Sequence, residues 1–131
     1  MKEKKNNLPR RVVDSMMEND YFSQWLGIEI KHIKKGYCKL CLKVRREMLN
    51  GFGIAHGGIC FSLADSALAF ASNSRNNKSL VLDASITFMR PLSENDEITA
   101  IAEEVNITRS TGLYQIKLTN QDDDLVGQFK G

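Results

Sequence analysis

Hydrophobic and polar residues follow two periods along this chain, and the change of period separates helical from extended segments. Within residues 9–26, apolar side chains at helical spacing predict a short amphipathic helix and a further turn of helix. A longer apolar segment, residues 57–73, predicts a second helix with one carboxylate near its middle. Alternating patterns predict strands at 27–32, 37–45, 79–90, 97–108, 113–120 and 125–130.

The strands are joined mostly by short polar or glycine-containing turns, which favours an antiparallel sheet. One long apolar helix beside such strands predicts an α+β fold in which the sheet wraps around a central helix. At 131 residues the chain is one domain, and the basic residues near its start predict a disordered tail over 1–8. A lone sheet with one helix leaves an open face or edge, so we expect self-association.

Charge and composition exclude several functional classes. A net charge of +2 with scattered lysines and arginines does not favour a nucleic-acid binder. No apolar stretch approaches membrane-spanning length, and no apolar segment follows the basic start as in a signal peptide. Three cysteines without an export signal predict reduced thiols and a cytoplasmic location.

The candidate chemistry lies in the glycine-rich loop from Asn50 and in the helix that it enters. The first turn of a helix leaves backbone N–H groups unpaired at its positive end, so the amide of Gly57 can stabilise a developing negative charge. Asp65 lies two turns further along and shares a helical stripe with Phe61 and Ala69. A structural alternative is a carboxylate at the junction of helix and sheet that is hydrogen-bonded to a hydroxyl or a backbone amide.

The spacing of these two residues predicts a site shared between chains. Gly57 and Asp65 are eight residues apart, which corresponds to about 12 Å along a helix. An attacking group must lie about 3 Å from the carbon that it attacks. Two antiparallel helices in a symmetric dimer can meet both conditions, because the start of one helix then lies beside the middle of the other.

The motifs resemble those of the hotdog-fold acyl-CoA thioesterases of the PaaI-like type. The resemblance rests on Asn50, on His56-Gly57-Gly58, on Phe61-Ser-Leu-Ala-Asp65 and on Ile86-Thr-Phe-Met-Arg-Pro91, and it covers about residues 20–130. It implies a helix enclosed by a curved antiparallel sheet, in homodimers that often pair into tetramers. It also implies hydrolysis of an acyl-CoA to a free acid and coenzyme A, without a separate cofactor or metal.

The resemblance also implies roles for individual residues. Asp65 would be the nucleophile or the general base, and the Gly57 N–H of the partner subunit would polarise the thioester oxygen. Asn50 would orient the attacking water or carboxylate, and His56 would brace the loop or contact the thioester. Relatives often carry Ser or Thr at the position of Val81, where a hydroxyl helps to place the water, and valine lacks that group.

Coenzyme A is long and anionic, so its phosphates need basic or amide partners. By resemblance these lie at the end of the Phe88-containing strand and in a following hairpin. The implied residues are Phe88, Met89, Arg90, Thr108, Arg109, Ser110 and Thr111. The alternative is that Arg90 and Arg109 are ordinary surface residues.

Other patterns carry less weight. Cys38-Lys-Leu-Cys41 has the spacing of a zinc or redox pair, but residues three apart on a strand face opposite sides, so Cys38 should enter the core and Cys41 face outward. The group Met16-Met17 and Tyr21-Phe22-Trp25 could line an acyl pocket, although we expect it to pack across the sheet.

The sequence therefore predicts an acyl-CoA thioesterase for aryl-acetyl or medium-to-long acyl chains. Hotdog-fold hydratases generally need a His paired with an acid, whereas this helix carries Asp65 and no His. The remaining alternative is a non-catalytic acyl-CoA-binding protein, as a sensor or a degenerate relative.

Overall fold

The structure, a computed structural model, describes residues 7–131 and has three helices and six strands in that range. Helices α1 (Leu8–Asn19) and α2 (Tyr21–Leu26) are followed by strands β1 (Glu29–Lys34) and β2 (Tyr37–Lys43) and a short 3-10 turn (Arg46–Met48). Helix α3 (Gly57–Asn73) precedes β3 (Ser85–Phe88), β4 (Glu97–Ile107), β5 (Gly112–Thr119) and β6 (Leu125–Lys130). None of these helices is both long and apolar enough to cross a membrane.

All six strands form one antiparallel sheet in the order β1-β2-β4-β5-β6-β3. Helix α3 packs on β4, β2 and β5, which are the middle strands of the sheet. Small residues allow the close approach, because Ala64, Ala67 and Ala71 on the helix and Ala100 and Ala102 on β4 are all fully buried. The predicted α+β architecture, a curved antiparallel sheet around a long central helix, is confirmed.

The N-terminal segment begins in a regular way. Pro9 lies in the first turn of α1, where its missing N–H costs nothing, and the side chain of Asn7 accepts the N–H of Arg10 as a helix cap. The predicted tail over 1–8 is therefore too long, since α1 already begins at Leu8; residues 1–6 lie outside the described residues.

Two predicted strands have different bounds in the structure. The first strand was predicted at 27–32 but is Glu29–Lys34, because Gly27 adopts a left-handed conformation and ends α2. The strand predicted at 79–90 is only Ser85–Phe88. Its neighbour β6 ends at Lys130, opposite Ser85, and no strand of the described range pairs with residues 79–84.

The two strand cysteines face opposite sides of the sheet, as the alternation predicts. Cys38 is fully buried in the core cluster with Leu40 and Leu42. Cys41 faces the other side near Lys31 and Glu29, and their side chains leave it 7% exposed. No group of three or more His, Cys, Asp or Glu within residues 7–131 could hold a metal ion.

The aromatic residues of α2 do not pack across the sheet, so that prediction is wrong. Tyr21 is 72% exposed, Phe22 55% and Trp25 52%. Helix α2 turns Ser23 and Leu26 inward instead, which leaves the aromatic side chains on its outer face. Phe22 stacks on Trp25, and the guanidinium of Arg45 lies over the Trp25 ring.

Candidate active site

The start of α3 leaves hydrogen-bond donors open. The backbone of His56 is extended and its carbonyl accepts the Ile59 N–H at 2.9 Å, but its side chain makes no capping hydrogen bond. Within residues 7–131, the N–H groups of Gly57 and Gly58 have no acceptor. These are the unpaired donors that the first turn of a helix provides for an anion.

A cleft of about 330 Å³ opens beside this first turn. It is lined by Gly57 and Cys60 of α3, by the loop residues Asn50, Ile54 and Ala55, and by Phe88, Met89, Arg90, Pro91 and Leu92. The structure therefore brings together five residues that the sequence analysis named, from three separate parts of the chain. His56 lies next to the cleft in sequence but does not line it.

The ring of Phe88 closes over Gly57. A Cβ added at Gly57 would lie 3.1 Å from the tip of that ring, so a larger residue would displace Phe88. A Cβ at Gly51, in the same loop, would meet nothing within 4 Å. The cleft therefore depends on glycine at position 57 for space, whereas position 51 is unrestricted.

Asn50 organises the loop that carries the cleft. Its side-chain Oδ1 accepts the N–H of Phe52 at 2.9 Å and of Ile54 at 3.3 Å, and its own N–H donates to the Ile54 carbonyl at 2.7 Å. The side-chain Nδ2 has no acceptor within residues 7–131, so it is the group of Asn50 that remains able to donate into the cleft.

Asp65 lies on the outer face of α3, outside the cleft. The stripe Phe61, Ser62, Asp65, Ala69 and Ser72 is exposed or half-buried, whereas the opposite face of α3 is buried against the sheet. Burial raises the pKa of Asp65, and the carboxylate of Asp20 raises it further. No hydrogen bond to Asp65 is present within the described residues, so the structural alternative of a hydrogen-bonded junction carboxylate is not what the chain forms.

The residues implied for coenzyme A divide into two groups within one chain. Phe88 pairs with Gly127, and Gly127 pairs with Leu118 of β5, whereas the hairpin 108–111 adjoins Gly112 at the other end of β5. Six strand residues separate the two groups, or about 20 Å. Met89 and Arg90 therefore line the cleft, and Thr108, Arg109, Ser110 and Thr111 do not.

The hairpin 108–111 is exposed and internally bonded. The Thr108 Oγ1 accepts the Thr111 N–H at 3.0 Å and lies 2.7 Å from the Thr111 hydroxyl. Arg90 and Arg109 form no ion pair within residues 7–131, so both guanidinium groups are available to an anion.

Two residues of the site, Cys60 and Asp20, are not among the predicted site residues. Cys60 lines the cleft, but burial raises the pKa of its thiol to about 11, so it is a poor nucleophile at neutral pH. Asp20 acts on Asp65 through space, and its only sequence signal is its position before a short helix, with Ser23 three residues later. A larger cavity of about 410 Å³ lies between α1 and the loop after α3, and it contains none of the predicted site residues.

Val81 is 49% exposed, between Leu80 and Leu82, which are 85% and 89% exposed. It lies in the segment 79–84 that has no strand partner within one chain. Val81 lines neither of the two cavities described above.

Comparison with known proteins shows the family to which the chain belongs. The family model of the thioesterase superfamily matches residues 52–127. A putative esterase of Archaeoglobus fulgidus is 39% identical over 128 residues, which are 98% of this chain and 83% of that protein. The acyl-coenzyme A thioesterase PaaI of Escherichia coli is 38% identical over 117 residues, which are 89% of this chain and 84% of that protein.

The solved structure of the E. coli PaaI protein from the phenylacetic acid degradation operon superposes with a TM-score of 0.92 and 36% identity, over 94% of this chain and 89% of that one. The family match covers more than half of the chain, and the helix start that carries the open amides lies inside it. The chain therefore belongs to the thioesterase superfamily, as a hotdog-fold member of the PaaI-like acyl-CoA thioesterases.

Proposed function

We propose that this chain hydrolyses an aryl-acetyl-CoA or a medium- or long-chain acyl-CoA to a free acid and coenzyme A. The observation that carries the proposal is the contrast along α3. Gly57, whose amide is unpaired within residues 7–131, lines a cleft at the start of the helix. The carboxylate of Asp65 lies on the outer face and accepts no hydrogen bond in the same part of the chain.

The proposed chemistry divides between these two groups. The Gly57 N–H polarises the thioester oxygen and stabilises the oxyanion, a contribution of about 3–4 kcal/mol for one such donor in other hydrolases. Asp65 attacks the carbonyl carbon or removes a proton from the attacking water. The carbon–sulfur bond then breaks, and coenzyme A leaves as a thiolate that takes up a proton. Where Asp65 is the nucleophile, water then hydrolyses the acyl–Asp65 anhydride, which releases the free acid and restores the carboxylate.

A homodimer is part of the proposal, because the rise of about 12 Å between Gly57 and Asp65 separates them within one helix. The unpaired edge of β3 and the exposed Leu80 and Leu82 support association at this side of the sheet. Antiparallel helices from two chains would bring the Gly57 amide of one chain beside Asp65 of the other. Pairing of dimers into tetramers is a further part of the same proposal.

The same arrangement accommodates the divided coenzyme A residues. Phe88, Met89 and Arg90 would come from one subunit and the hairpin 108–111 from its partner, because one chain holds them about 20 Å apart. The free guanidinium groups of Arg90 and Arg109 support phosphate binding.

The aromatic face of α2 supports the proposed acyl class. Ser23 of α2 bonds to Ser66 of α3, beside Asp65, at 2.8 Å. Tyr21, Phe22 and Trp25 therefore lie on a helix that contacts α3 next to the proposed catalytic carboxylate. An exposed aromatic surface suits an aryl or long acyl group better than an acetyl group.

Thiol release from a panel of acyl-CoA substrates tests the function. We expect turnover by the wild-type protein and a loss of at least about 100-fold in kcat for Asp65→Asn, with the fold intact by circular dichroism. Equal rates for the two proteins would remove Asp65 from the mechanism. Tight acyl-CoA binding without thiol release from wild type would instead favour a non-catalytic binding protein.

A mixed-chain experiment tests the shared site. Asp65→Asn chains are combined with Gly57→Val chains, which keep Asp65 but displace Phe88 from the cleft. A verified heterodimer contains one site with both intact groups, so we expect recovery of up to half of the wild-type activity per dimer. No recovery in such heterodimers would contradict the assignment across two subunits.

A further inference from the structure

A buried hydrogen-bond chain joins α2 to α3 directly beside Asp65. The Ser23 hydroxyl donates to Asp20 Oδ2 at 2.6 Å and lies 2.8 Å from the Ser66 hydroxyl, while the Ser23 N–H donates to Asp20 Oδ1 at 3.0 Å. Ser23 is 1% exposed and Ser66 9%. Ser66 follows Asp65 in sequence, so this series of hydrogen bonds ends at the neighbour of the proposed catalytic residue.

The direction of these bonds follows from the number of hydrogens. A carboxylate only accepts, so the single hydroxyl hydrogen of Ser23 goes to Asp20. The bond between the two serines must then be donated by Ser66. Both hydroxyl hydrogens therefore point toward Asp20. The Ser23 N–H and hydroxyl donate directly to the Asp20 carboxylate, and the Ser66 hydroxyl donates to that of Ser23.

Asp20 and Asp65 consequently occupy contrasting surroundings. Asp20 accepts two hydrogen bonds and caps α2, whereas Asp65 is partly desolvated and accepts none within the described residues. Burial is the first cause of the raised pKa of Asp65, and Asp20 is the second. Enzymes often place two carboxyl groups in different surroundings, so that one acts in proton transfer and the other acts only through its charge.

The charged pair Arg75–Glu104 lies at the far, C-terminal end of α3 and is not a cause of the Asp65 shift. Burial raises the pKa of the Cys60 thiol to about 11, and it also raises the pKa values of Cys38 and of Tyr114 on the inner face of the sheet. Asp14 and Glu18 of α1 are exposed, and the half-buried Arg10 acts on Cys38. The charged residues of α1 are not a cause of the Asp65 shift. Those residues are Arg10, Arg11, Asp14 and Glu18. Asp20 is thus the one charged group in the described part of the chain that shifts Asp65.

Resting on the proposed function, we propose that Asp20 is a positioning residue of the thioesterase reaction. The chain Ser66–Ser23–Asp20 holds a second negative charge beside Asp65, and this charge sets the lower pH limit of hydrolysis. It strengthens Asp65 as a base by making the loss of its proton less favourable, at the cost of a smaller ionised fraction in acid.

The test is the pH dependence of kcat/KM for wild type and Asp20→Asn. Asparagine caps a helix as well as aspartate, and its one amide oxygen can still accept the Ser23 N–H. Its amide nitrogen would donate to the Ser23 hydroxyl, which now accepts, so the variant removes the charge and keeps the cap. We expect the acidic limb of the profile to move to lower pH in Asp20→Asn. The matched control is Asp14→Asn, which removes an exposed carboxylate from α1 and should leave the limb where it is.

An activity-free readout accompanies the kinetics. Titration of ¹³C-labelled aspartate carboxyl groups by NMR, with Asp65 assigned from Asp65→Asn, should show the same downward movement for Asp65 in Asp20→Asn. If thermal unfolding shows that Asp20→Asn does not fold, Asp20→Ser is measured in its place, because serine is an equally good cap.

The outcomes separate the two proposals. An unchanged acidic limb and an unchanged Asp65 titration in a folded Asp20 variant would overturn the role of Asp20, while the thioesterase function stands. Wild-type protein that releases no thiol from any substrate would overturn the proposed function, and the NMR titration would then still decide whether Asp20 acts on Asp65.

Discussion

The two ends of α3 are built in opposite ways. At its C-terminal end polar groups are paired within the chain: the Ser74 hydroxyl accepts the Gly36 N–H at 2.9 Å, and the Asn73 amide donates to the carbonyls of Ala69 and Ser79. At its N-terminal end, the Gly57 and Gly58 amides have no acceptor among residues 7–131, and the His56 side chain makes no capping hydrogen bond.

The paired C-terminal end of α3 therefore contributes to stability, whereas the unpaired N-terminal end is the part that we propose for catalysis. Just beyond the C-terminal end, Arg75 forms two bonds of 2.8 Å with Glu104 of β4, and the Tyr114 hydroxyl donates to the same carboxylate at 3.3 Å. Such closed contacts fix the helix on the sheet. The open amides cost stability unless a ligand or a partner chain satisfies them.

Within this comparison, the largest expected effect comes from a side chain added at Gly57, where the amides at the start of α3 are unpaired. Gly57→Ala places a Cβ 3.1 Å from the Phe88 ring, so the ring must move and the cleft must change shape. We expect kcat/KM for acyl-CoA to fall about tenfold or more, because small misplacements at a reacting centre are costly. Gly51→Ala, whose Cβ meets nothing, serves as the control and should retain wild-type kinetics.

Breaking the closed end should affect stability and leave catalysis alone. Glu104→Gln weakens the half-buried pair with Arg75, and we expect a loss of about 1–2 kcal/mol in the free energy of unfolding. The measurement is urea unfolding at fixed protein concentration. For comparison, Asp14→Asn removes the exposed pair with Arg10 and should cost about 0.5 kcal/mol or less. A large loss of kcat in Glu104→Gln would contradict the separation.

A smaller effect concerns substrate binding at the cleft. Arg90→Ala should raise KM for an acyl-CoA about threefold to tenfold, since one phosphate partner is lost. The same variant should leave KM unchanged for an acyl-N-acetylcysteamine thioester, which lacks the phosphates. Equal increases for both substrates would show that Arg90 acts on the shape of the cleft and not on the phosphates.

The smallest expected effect is a gain in thermal stability when the carboxylate of Asp65 is removed. The raised pKa of Asp65 means that the folded chain holds this proton more tightly than the unfolded chain. The free energy of unfolding therefore decreases as pH rises through the pKa of Asp65 in the folded chain. Below the ordinary pKa of an aspartate, Asp65 is protonated in both the folded and the unfolded chain, and it then has no effect on this free energy. Asp65→Asn should raise Tm slightly at neutral pH, with a gain that disappears in acid. A gain independent of pH would contradict this account.

Some features of the fold follow from local patterns. The predicted helix 57–73 has the observed bounds Gly57–Asn73, and the predicted strand 125–130 is observed as Leu125–Lys130. The opposite faces of Cys38 and Cys41 follow from strand alternation alone. These features depend on residues that are close in sequence, so the periodicity of apolar and polar residues is enough to predict them.

Other features were decided by distant contacts. The pattern at 79–90 has strand character throughout, but only Ser85–Phe88 finds a partner strand. Tyr21, Phe22 and Trp25 were expected to pack inward, but α2 turns Ser23 toward Ser66 and leaves the aromatic residues outside. A hydrogen bond across 43 residues sets that rotation, and periodicity carries no signal of it.

The sequence by itself determined the central helix, the glycines at its start and the carboxylate two turns later, because helical spacing and amide geometry are local. Only the tertiary structure decided that Phe88 closes over Gly57, that Asp20 raises the pKa of Asp65, and that the residues proposed for coenzyme A fall at opposite ends of β5. Those arrangements arise from strand order and helix packing, which join residues far apart in sequence and are chosen by the burial of the whole core.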